Sequence, residues 1–267
     1  ELGVRLVGSE MCIRDRVEAV HDGHPVQPGE KPMSGTLYGV GVGPADPELV
    51  THKALRNLRE AQVLAWPAPE EGPSLAREIV ADHLPGGQRE IAIRMPLSPA
   101  RFPADDVYDN AAAEISAALS EGDDVAVICE VDPFFYGSFM YLFARLSECY
   151  LVKVVPGVTS IAACSSALAL PLAARNDVIS IIPGPLNEKV IEERLQRTNI
   201  AAIIKVGRHL DKIKRILRKI GAMDSAHYIE RATMANERIR LLKDINGDAA
   251  PYFSMIIVRL SGDVLEL

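Results

Sequence analysis

The stretch that decides the fold is Gly39-Val40-Gly41-Val42-Gly43-Pro44-Ala45-Asp46-Pro47-Glu48. It follows a short β-type run at 36–38 and leads into apolar residues with helical spacing, so it predicts a strand, a loop and a helix in succession. Asp46 followed by Pro47 is typical of a helix start. Because glycines leave the backbone uncovered, we expect another group to approach this loop closely.

Two nucleotide-binding motifs fail to explain the loop. A dinucleotide fingerprint needs glycine three positions after its second glycine, and this chain has Pro44 there, which argues against a nicotinamide oxidoreductase. A P-loop needs a Gly-Lys-Ser or Gly-Lys-Thr sequence, which does not follow. A tight turn without a ligand stays open as an alternative.

The composition is that of a folded protein with apolar cores. The 267 residues are 48% hydrophobic, enough for one large domain or two ordinary ones. A net charge of −7 argues against a nucleic-acid surface, and no apolar run is long enough to span a membrane. The cysteines lack CxxC spacing, so we expect no metal site, no disulfide framework and a cytoplasmic protein. They are Cys12, Cys129, Cys149 and Cys164.

The first 33 residues differ from the rest of the chain. They show no helical or strand periodicity, and the run at 7–16 resembles translated adapter DNA. We interpret residues 1–33 as a non-native or disordered leader and expect the native start near Met33.

Beyond this leader, short β-branched runs alternate with helical patterns. The predicted strands are 63–65, 90–93, 125–129, 152–155, 178–182, 200–206 and 254–258, and the predicted helices are 74–83, 105–120, 138–147, 159–170, 187–196 and 210–220. This alternation predicts an α/β protein with largely parallel sheets covered by helices. The length suits two domains, 34–153 and 154–267.

Four further segments stand at the C-terminal ends of strands. Glu130–Phe139 and Pro156–Ser160 directly follow predicted strands, and Lys205–Arg208 and Glu230–Thr233 end two later strands. Open α/β sheets bind their ligands at this end of their strands. Each segment alone is equally typical of a turn, a helix cap or an aromatic core cluster.

Together with the glycine loop, these segments resemble the tetrapyrrole methylase family, whose members methylate corrin and sirohaem precursors with S-adenosylmethionine. The resemblance covers about residues 34–260, and Pro251–Met255 is part of it. The run Asp132-Pro133-Phe134-Phe135-Tyr136-Gly137-Ser138-Phe139-Met140-Tyr141 is most similar to the subfamily that methylates precorrin-2 at C20.

This resemblance implies a fold of two α/β domains with a cleft between them. It also implies a C20-methyltransferase of cobalamin biosynthesis, acting on precorrin-2 or its cobalt-containing counterpart, and a homodimer. Methyl transfer from a sulfonium is a simple displacement that depends on positioning, so no metal is expected.

The resemblance further implies which residues contact the two reactants. Those expected to line the S-adenosylmethionine site are Pro44, Glu130, Val131, Asp132, Phe135, Thr159, Ser160, Val206 and Ala232. Those expected to contact the macrocycle are Gly41, Gly43, Asp46, Tyr136 and Arg208. Asp132 would receive a ribose hydroxyl or the donor's ammonium, while Val206 and Ala232 would offer backbone hydrogen bonds to adenine.

The macrocycle carries many carboxylates, which need cationic partners. The candidates are Arg94, Arg101, Arg208 and Arg231. The proton acceptor is left open among Asp46, Glu130, Tyr136 and Tyr141.

Two positions depart from the pattern of the family. This chain has Val131 and Ala45 where glycine is common, and glycine there would allow a positive φ. Either the second loop stays in an ordinary conformation, or donor affinity is reduced. A donor-binding module with impaired turnover is therefore the alternative from another functional class.

Overall fold

The computed structural model describes residues 34–95 and 105–262. The chain folds into two compact units, which separate after Gly157; the short segment Pro44–Asp46 belongs to the second unit. The predicted leader and Arg101 lie outside the described residues. Each unit contains one five-stranded sheet together with helices, which confirms the predicted α/β class.

The first unit contains a wholly parallel sheet. Its strands are β1 (Leu37–Gly41), β2 (Val63–Pro69), β3 (Arg89–Met95), β4 (Val125–Cys129) and β5 (Val152–Val155), and its helices are α1 (His52–Glu60), α2 (Leu75–Ile79), α3 (Asp105–Ser120) and α4 (Phe139–Leu146). The strand order is β3-β2-β4-β1-β5. All residues of β4 are buried, as expected for a central parallel strand. Because Gly41 pairs with Cys129, the loops that follow β1 and β4 emerge side by side.

The predicted spacing of apolar residues in α3 is confirmed. Ala111, Ile115 and Leu119 are buried in the core of the first unit, and Val107 packs against that core. The recurrence every four residues places these side chains on one helix face, which covers the sheet.

The second unit contains a mixed sheet. Its strands are β6 (Ile179–Pro183), β7 (Ile200–Ile204), β8 (Ala226–Glu230), β9 (Arg238–Leu241) and β10 (Ser254–Arg259), and its helices are α5 (Ser160–Ala167), α6 (Glu188–Leu195) and α7 (Leu210–Lys219). The order is β6-β7-β10-β8-β9, and only the β6–β7 pairing is parallel. The prediction of a largely parallel sheet is wrong here, because β8, β9 and β10 follow one another without an α-helix that could return the chain to the same sheet edge.

The division between the units falls later in the chain than the expected join. β5 pairs with β1 throughout its length, so a boundary after Lys153 would cut through a strand of the first sheet. The predicted bounds 34–153 and 154–267 stay a prediction.

The helix after the glycine loop begins later than expected. Thr51 is the N-cap of α1, and its Oγ1 accepts a hydrogen bond of 3.2 Å from the backbone N of Ala54. Pro47–Leu49 form a short 3₁₀ turn instead. The prediction of a helix start at Asp46 is therefore wrong, because the hydroxyl of Thr51 supplies the cap one turn later.

Within the described ranges, no helix is both long enough and apolar enough to cross a membrane. The same residues contain no group of three or more His, Cys, Asp or Glu side chains able to hold a metal ion.

Candidate functional site

The glycine loop is approached closely by the protein itself. A Cβ on Gly39 would lie 2.4 Å from the Phe139 ring. A Cβ on Gly41 would lie 2.6 Å from both the backbone N of Gly157 and the carbonyl O of Val131. Packing therefore explains these two glycines without a ligand, and the macrocycle contact expected of Gly41 stays a prediction.

A backbone bridge joins the loops that follow β1 and β4. The N–H of Val131 donates to the carbonyl of Gly43 at 2.8 Å, and the N–H of Gly43 donates back at 3.3 Å. Val131 has φ +64° and Gly43 has φ +80°. A β-branched residue rarely adopts a positive φ, so the second loop is not in an ordinary conformation. The first of the two alternatives given for Val131 is therefore wrong. Ala45, the other departure from glycine, has φ +140°.

The carboxylate of Asp132 holds two backbone segments of the first unit together. Its Oδ1 accepts the N–H of Phe134 at 3.0 Å, and its Oδ2 accepts the N–H of Gly157 at 3.1 Å. A carboxylate has about four acceptor positions, so both oxygens keep capacity for a further donor. The expected contact with the ribose or ammonium stays a prediction beside this structural role.

Glu130 is the half-buried carboxylate at the end of β4. Burial raises the pKa of this carboxyl above its ordinary value, while hydrogen bonds from the backbone of Glu130 and Ala76 act in the opposite direction. A carboxyl with a raised pKa at a strand end is suited to proton transfer, so Glu130 keeps its place among the candidate proton acceptors.

The aromatic run after Asp132 divides between core and surface. Phe139 is fully buried against Gly39, whereas Phe134 and Tyr136 are about half exposed. Phe135 and Tyr136 meet edge to face with ring centroids 5.2 Å apart. Tyr136 also has φ +57°, a costly conformation for a bulky residue. The exposed rings of Phe134 and Tyr136 offer aromatic surface of the kind that a macrocycle contacts.

In the second unit, the residues after Pro156-Gly157 begin a helix. Thr159 is the N-cap of α5, and its Oγ1 accepts the N–H of Ala162 at 3.4 Å. Ser160 is the first helical residue. The hydroxyl of Thr159 therefore has a structural role in addition to the predicted contact with the donor.

Val206 lies between two residues with positive φ. Val206 is fully buried in the core of the second unit, backbone included. Lys205 has φ +55° and Gly207 has φ +36°. The backbone contact with adenine expected of Val206 stays a prediction.

Ala232 also lies between two left-handed residues. Arg231 has φ +53° and Thr233 has φ +69°. Glu230, two residues before Ala232, is buried, and its carboxylate accepts hydrogen bonds from the hydroxyl of Tyr228 at 2.7 Å and from Nη1 of Arg231 at 3.2 Å. Burial and the nearby Glu230 carboxylate raise the pKa of Tyr228.

The arginines predicted to bind carboxylates differ in their surroundings. Nη1 of Arg94 donates to the carbonyls of Pro69 and Gly72 at 3.0 and 2.9 Å, and Arg231 pairs with Glu230. Arg208 is exposed on the 3₁₀ turn Gly207–His209. Among the described candidates, Arg208 is therefore the arginine best placed to meet a carboxylate from solvent.

Strained backbone is concentrated in the segments singled out by the sequence. Of the eight described non-glycine residues with positive φ, six lie in these segments: Ala45, Val131, Tyr136, Lys205, Arg231 and Thr233. Such residues cluster at functional sites, where the surrounding structure holds them in place. The sequence analysis did not predict a positive φ for the last four of these residues, because their residue types favour other conformations and only their position after a strand could have indicated it.

Comparisons with known proteins agree with the family resemblance of the sequence and with the fold of the two units. The family model of the Tetrapyrrole (Corrin/Porphyrin) Methylases matches residues 36–245. A Precorrin-2 C(20)-methyltransferase from a Sinorhizobium species is 41% identical over 232 residues, covering 84% of this chain and 95% of that protein. A Cobalt-precorrin-2 C(20)-methyltransferase from Salmonella typhimurium is 32% identical over 238 residues, covering 88% of this chain and 100% of that protein. A solved structure similar in fold is a uroporphyrin-III C-methyl transferase from Thermus thermophilus complexed with S-adenyl homocysteine, with TM-score 0.63, 22% identity, and coverage of 84% of this chain and 97% of that one.

Proposed function

Because the chain belongs to the Tetrapyrrole (Corrin/Porphyrin) Methylases, we propose that it transfers a methyl group from S-adenosylmethionine to C20 of precorrin-2 in cobalamin biosynthesis. The observation that carries this proposal is the 41% identity to the Sinorhizobium Precorrin-2 C(20)-methyltransferase, of which this chain covers 95%. The strained residues support it, because Val131 and Tyr136 are expected to contact the reactants and the other four directly precede or follow residues with that expectation.

The donor supplies an activated methyl group, and the protein supplies position. A displacement reaction needs the methyl group held in line with an electron-rich carbon. In the first unit, we assign donor contacts to Glu130, Val131, Asp132 and Phe135. In the second unit, we assign them to Pro44, Thr159, Ser160, Val206 and Ala232. Val206 and Ala232 contribute backbone groups, since the flanking left-handed residues fix the direction of their peptides.

We assign contacts with the macrocycle to a different group of residues. They are Gly41, Gly43, Asp46, Tyr136 and Arg208. Tyr136 has an exposed ring for the face of the macrocycle, and Arg208 has an exposed guanidinium for a peripheral carboxylate. The identity of the proton acceptor stays open, with Glu130 supported by its raised pKa.

The test is the mass of the product. Purified protein is mixed with S-adenosylmethionine and either precorrin-2 or its cobalt-containing counterpart. A gain of one methyl group on precorrin-2 supports the proposal, and turnover of the cobalt form alone would replace it with the second candidate, which the Salmonella relative favours. Donor binding without any product supports a binding module instead. If the protein does not bind S-adenosylmethionine, all three possibilities are contradicted: the precorrin-2 methyltransferase, the methyltransferase of the cobalt form and the binding module.

We further propose a homodimer in the cytoplasm. Apolar side chains on and beside β6, an edge strand of the second sheet, are exposed: Val178, Ile179, Ile181 and Leu186. A second copy would cover such a surface through an isologous contact. Cys129 and Cys164 are buried thiols, and a reducing compartment keeps thiols in this form. Light scattering that gives a monomer mass at micromolar concentration would contradict the dimer.

A further inference from the structure

Thr233 connects two segments of the second unit that we assign to donor binding. Its Oγ1 accepts the backbone N–H of Asp46 at 3.3 Å, across 187 positions in the sequence. Its own backbone N–H donates to Oε2 of Glu237 at 2.8 Å. Pro44 lies two residues before Asp46, and Ala232 directly precedes Thr233. One threonine therefore joins the neighbourhoods of both predicted donor contacts.

The residues around this connection are strained. Ala45, Arg231 and Thr233 have φ angles of +140°, +53° and +69°. Arg231 and Thr233 lie in the left-handed region, where Thr233 is the less favourable because its Cβ is branched, whereas Ala45 lies outside that region. Backbone conformations of this kind persist only where surrounding contacts hold them. The carboxylate of Glu237 is such a contact, since it binds the N–H of the strained residue itself.

The loop is bound to another segment at its start and contains two hydrogen-bonded turns. The N–H of Arg231 donates to the carbonyl of Phe253 at 2.8 Å. The N–H of Met234 donates to Arg231, and the N–H of Glu237 donates to Met234, each at 3.0 Å. The loop thus has a defined shape, in which the Glu237 side chain turns back onto Thr233.

The charge of Glu237 also acts on the helix that begins with Ser160. Burial raises the pKa of the Cys164 thiol in α5 to about 12, and the charge of Glu237 acts in the same direction.

We propose that Glu237 and Thr233 are positioning residues for the methyl donor. Glu237 holds Thr233 in its left-handed conformation, and the hydroxyl of Thr233 holds the segment Pro44–Asp46. The peptides around Pro44 and Ala232 are then ordered before the donor arrives, so binding does not have to order them. This inference rests on the proposed function, and it adds the residues that organise the donor site without touching the donor.

The test compares variants that differ in a single contact. Affinity for S-adenosylhomocysteine is measured by calorimetry for Glu237→Ala, Glu237→Gln, Thr233→Val and Thr233→Ser. We expect Glu237→Ala to raise the Kd about tenfold, because a charge-assisted hydrogen bond is lost. Thr233→Val keeps the branched shape but loses the acceptor, so we expect a Kd increase of about threefold. Glu237→Gln and Thr233→Ser keep an acceptor oxygen and should restore most of the affinity.

The matched control is Glu192→Ala. Glu192 accepts an equally short contact of 2.8 Å, and its partner is Lys219 on α7 and not the loop around Thr233. This variant should leave the Kd unchanged. If it weakens binding as much as Glu237→Ala does, the effect is general destabilisation and the inference is overturned.

Hydrogen exchange gives a readout that does not depend on the donor. The amide of Asp46 should exchange faster in Thr233→Val and Glu237→Ala than in the unmodified protein and in Glu192→Ala. If the exchange rate of the Asp46 amide is unchanged in these variants, the inference is overturned, whether or not the unmodified protein binds the donor. If the unmodified protein binds no donor, that finding by itself contradicts only the proposed function. Unchanged affinity in Glu237→Ala and Thr233→Val, with a donor-binding unmodified protein, overturns it as well.

Discussion

The two units each hold a β-branched residue in the left-handed conformation, and they do so by different means. In the first unit, Val131 is fixed by a pair of backbone hydrogen bonds with Gly43. In the second unit, Thr233 is fixed by the side chain of Glu237. The first arrangement depends on how closely the chain packs, whereas the second depends on one removable carboxylate. The same backbone conformation should therefore respond to different substitutions in the two units.

The largest effect should come from adding a side chain at Gly157, which packs against the carbonyl of Val131. A Cβ on Gly157 would lie 1.9 Å from the carbonyl O of Val131, and neither backbone can move away easily. We expect Gly157→Ala to lower the free energy of unfolding by about 3 kcal/mol, measured by urea denaturation.

The control for this prediction is Gly221→Ala. Gly221 has φ +72° but open space around it, so the variant should cost only about 1 kcal/mol for its conformation. Equal losses of unfolding free energy in the two variants would show that close packing against the Val131 carbonyl contributes nothing. The two units would then not differ in how they hold their left-handed residues.

Removal of the Asp132 carboxylate should have the next largest effect. Its two oxygens accept the N–H groups of Phe134 and Gly157, so Asp132→Ala leaves both donors without this partner. We expect a loss of about 2 kcal/mol in stability by thermal or urea denaturation. Asp132→Asn keeps one acceptor oxygen and should lose about half as much. A fully stable Asp132→Ala protein would show that the first unit does not need this carboxylate.

Replacing Val131 with glycine tests whether the strain in the first unit affects the donor. Glycine adopts φ +64° without the clash of a branched Cβ. We expect Val131→Gly to tighten donor binding by about 1 kcal/mol, which is several-fold in Kd. Calorimetry with S-adenosylhomocysteine measures this change. Unchanged or weaker affinity would mean that the loop already fits the donor with valine in place.

The smallest effect concerns the charge on Glu130. Its pKa is raised by burial, so the folded protein disfavours the charged form. The contribution of this group to stability is present below its unfolded pKa and is lost as the pH rises through its folded pKa. Glu130→Gln should therefore be more stable than the unmodified protein at neutral pH, with the difference vanishing at acidic pH. Melting temperatures of both proteins between pH 4 and pH 8, a range set by ordinary glutamate pKa values of about 4.3 and their upward shift, test this. A difference that stays constant with pH would contradict it.

Local pattern predicted much of the fold correctly. The buried run of β4 and the four-residue spacing in α3 were readable because each is a periodicity within one element. The direction of the strands in the second sheet was not readable in the same way. β9 alternates arginine with Ile239 and Leu241, but over only four mostly exposed residues, so this short pattern did not indicate the reversal between β8 and β10.

For the candidate site, the sequence by itself determined which segments matter. Glycines, Pro-Gly pairs and aromatic residues directly after strands mark places where the backbone is accessible, and this depends only on neighbouring residues. Only the tertiary structure decided what those segments do. The Phe139 ring beside Gly39, the Val131 carbonyl beneath Gly157, and the link between Asp46 and Thr233 join residues far apart in the chain. The positive φ angle of Val131 is held by the distant Gly43 and that of Thr233 by the nearby Glu237, because the residue types themselves oppose that conformation.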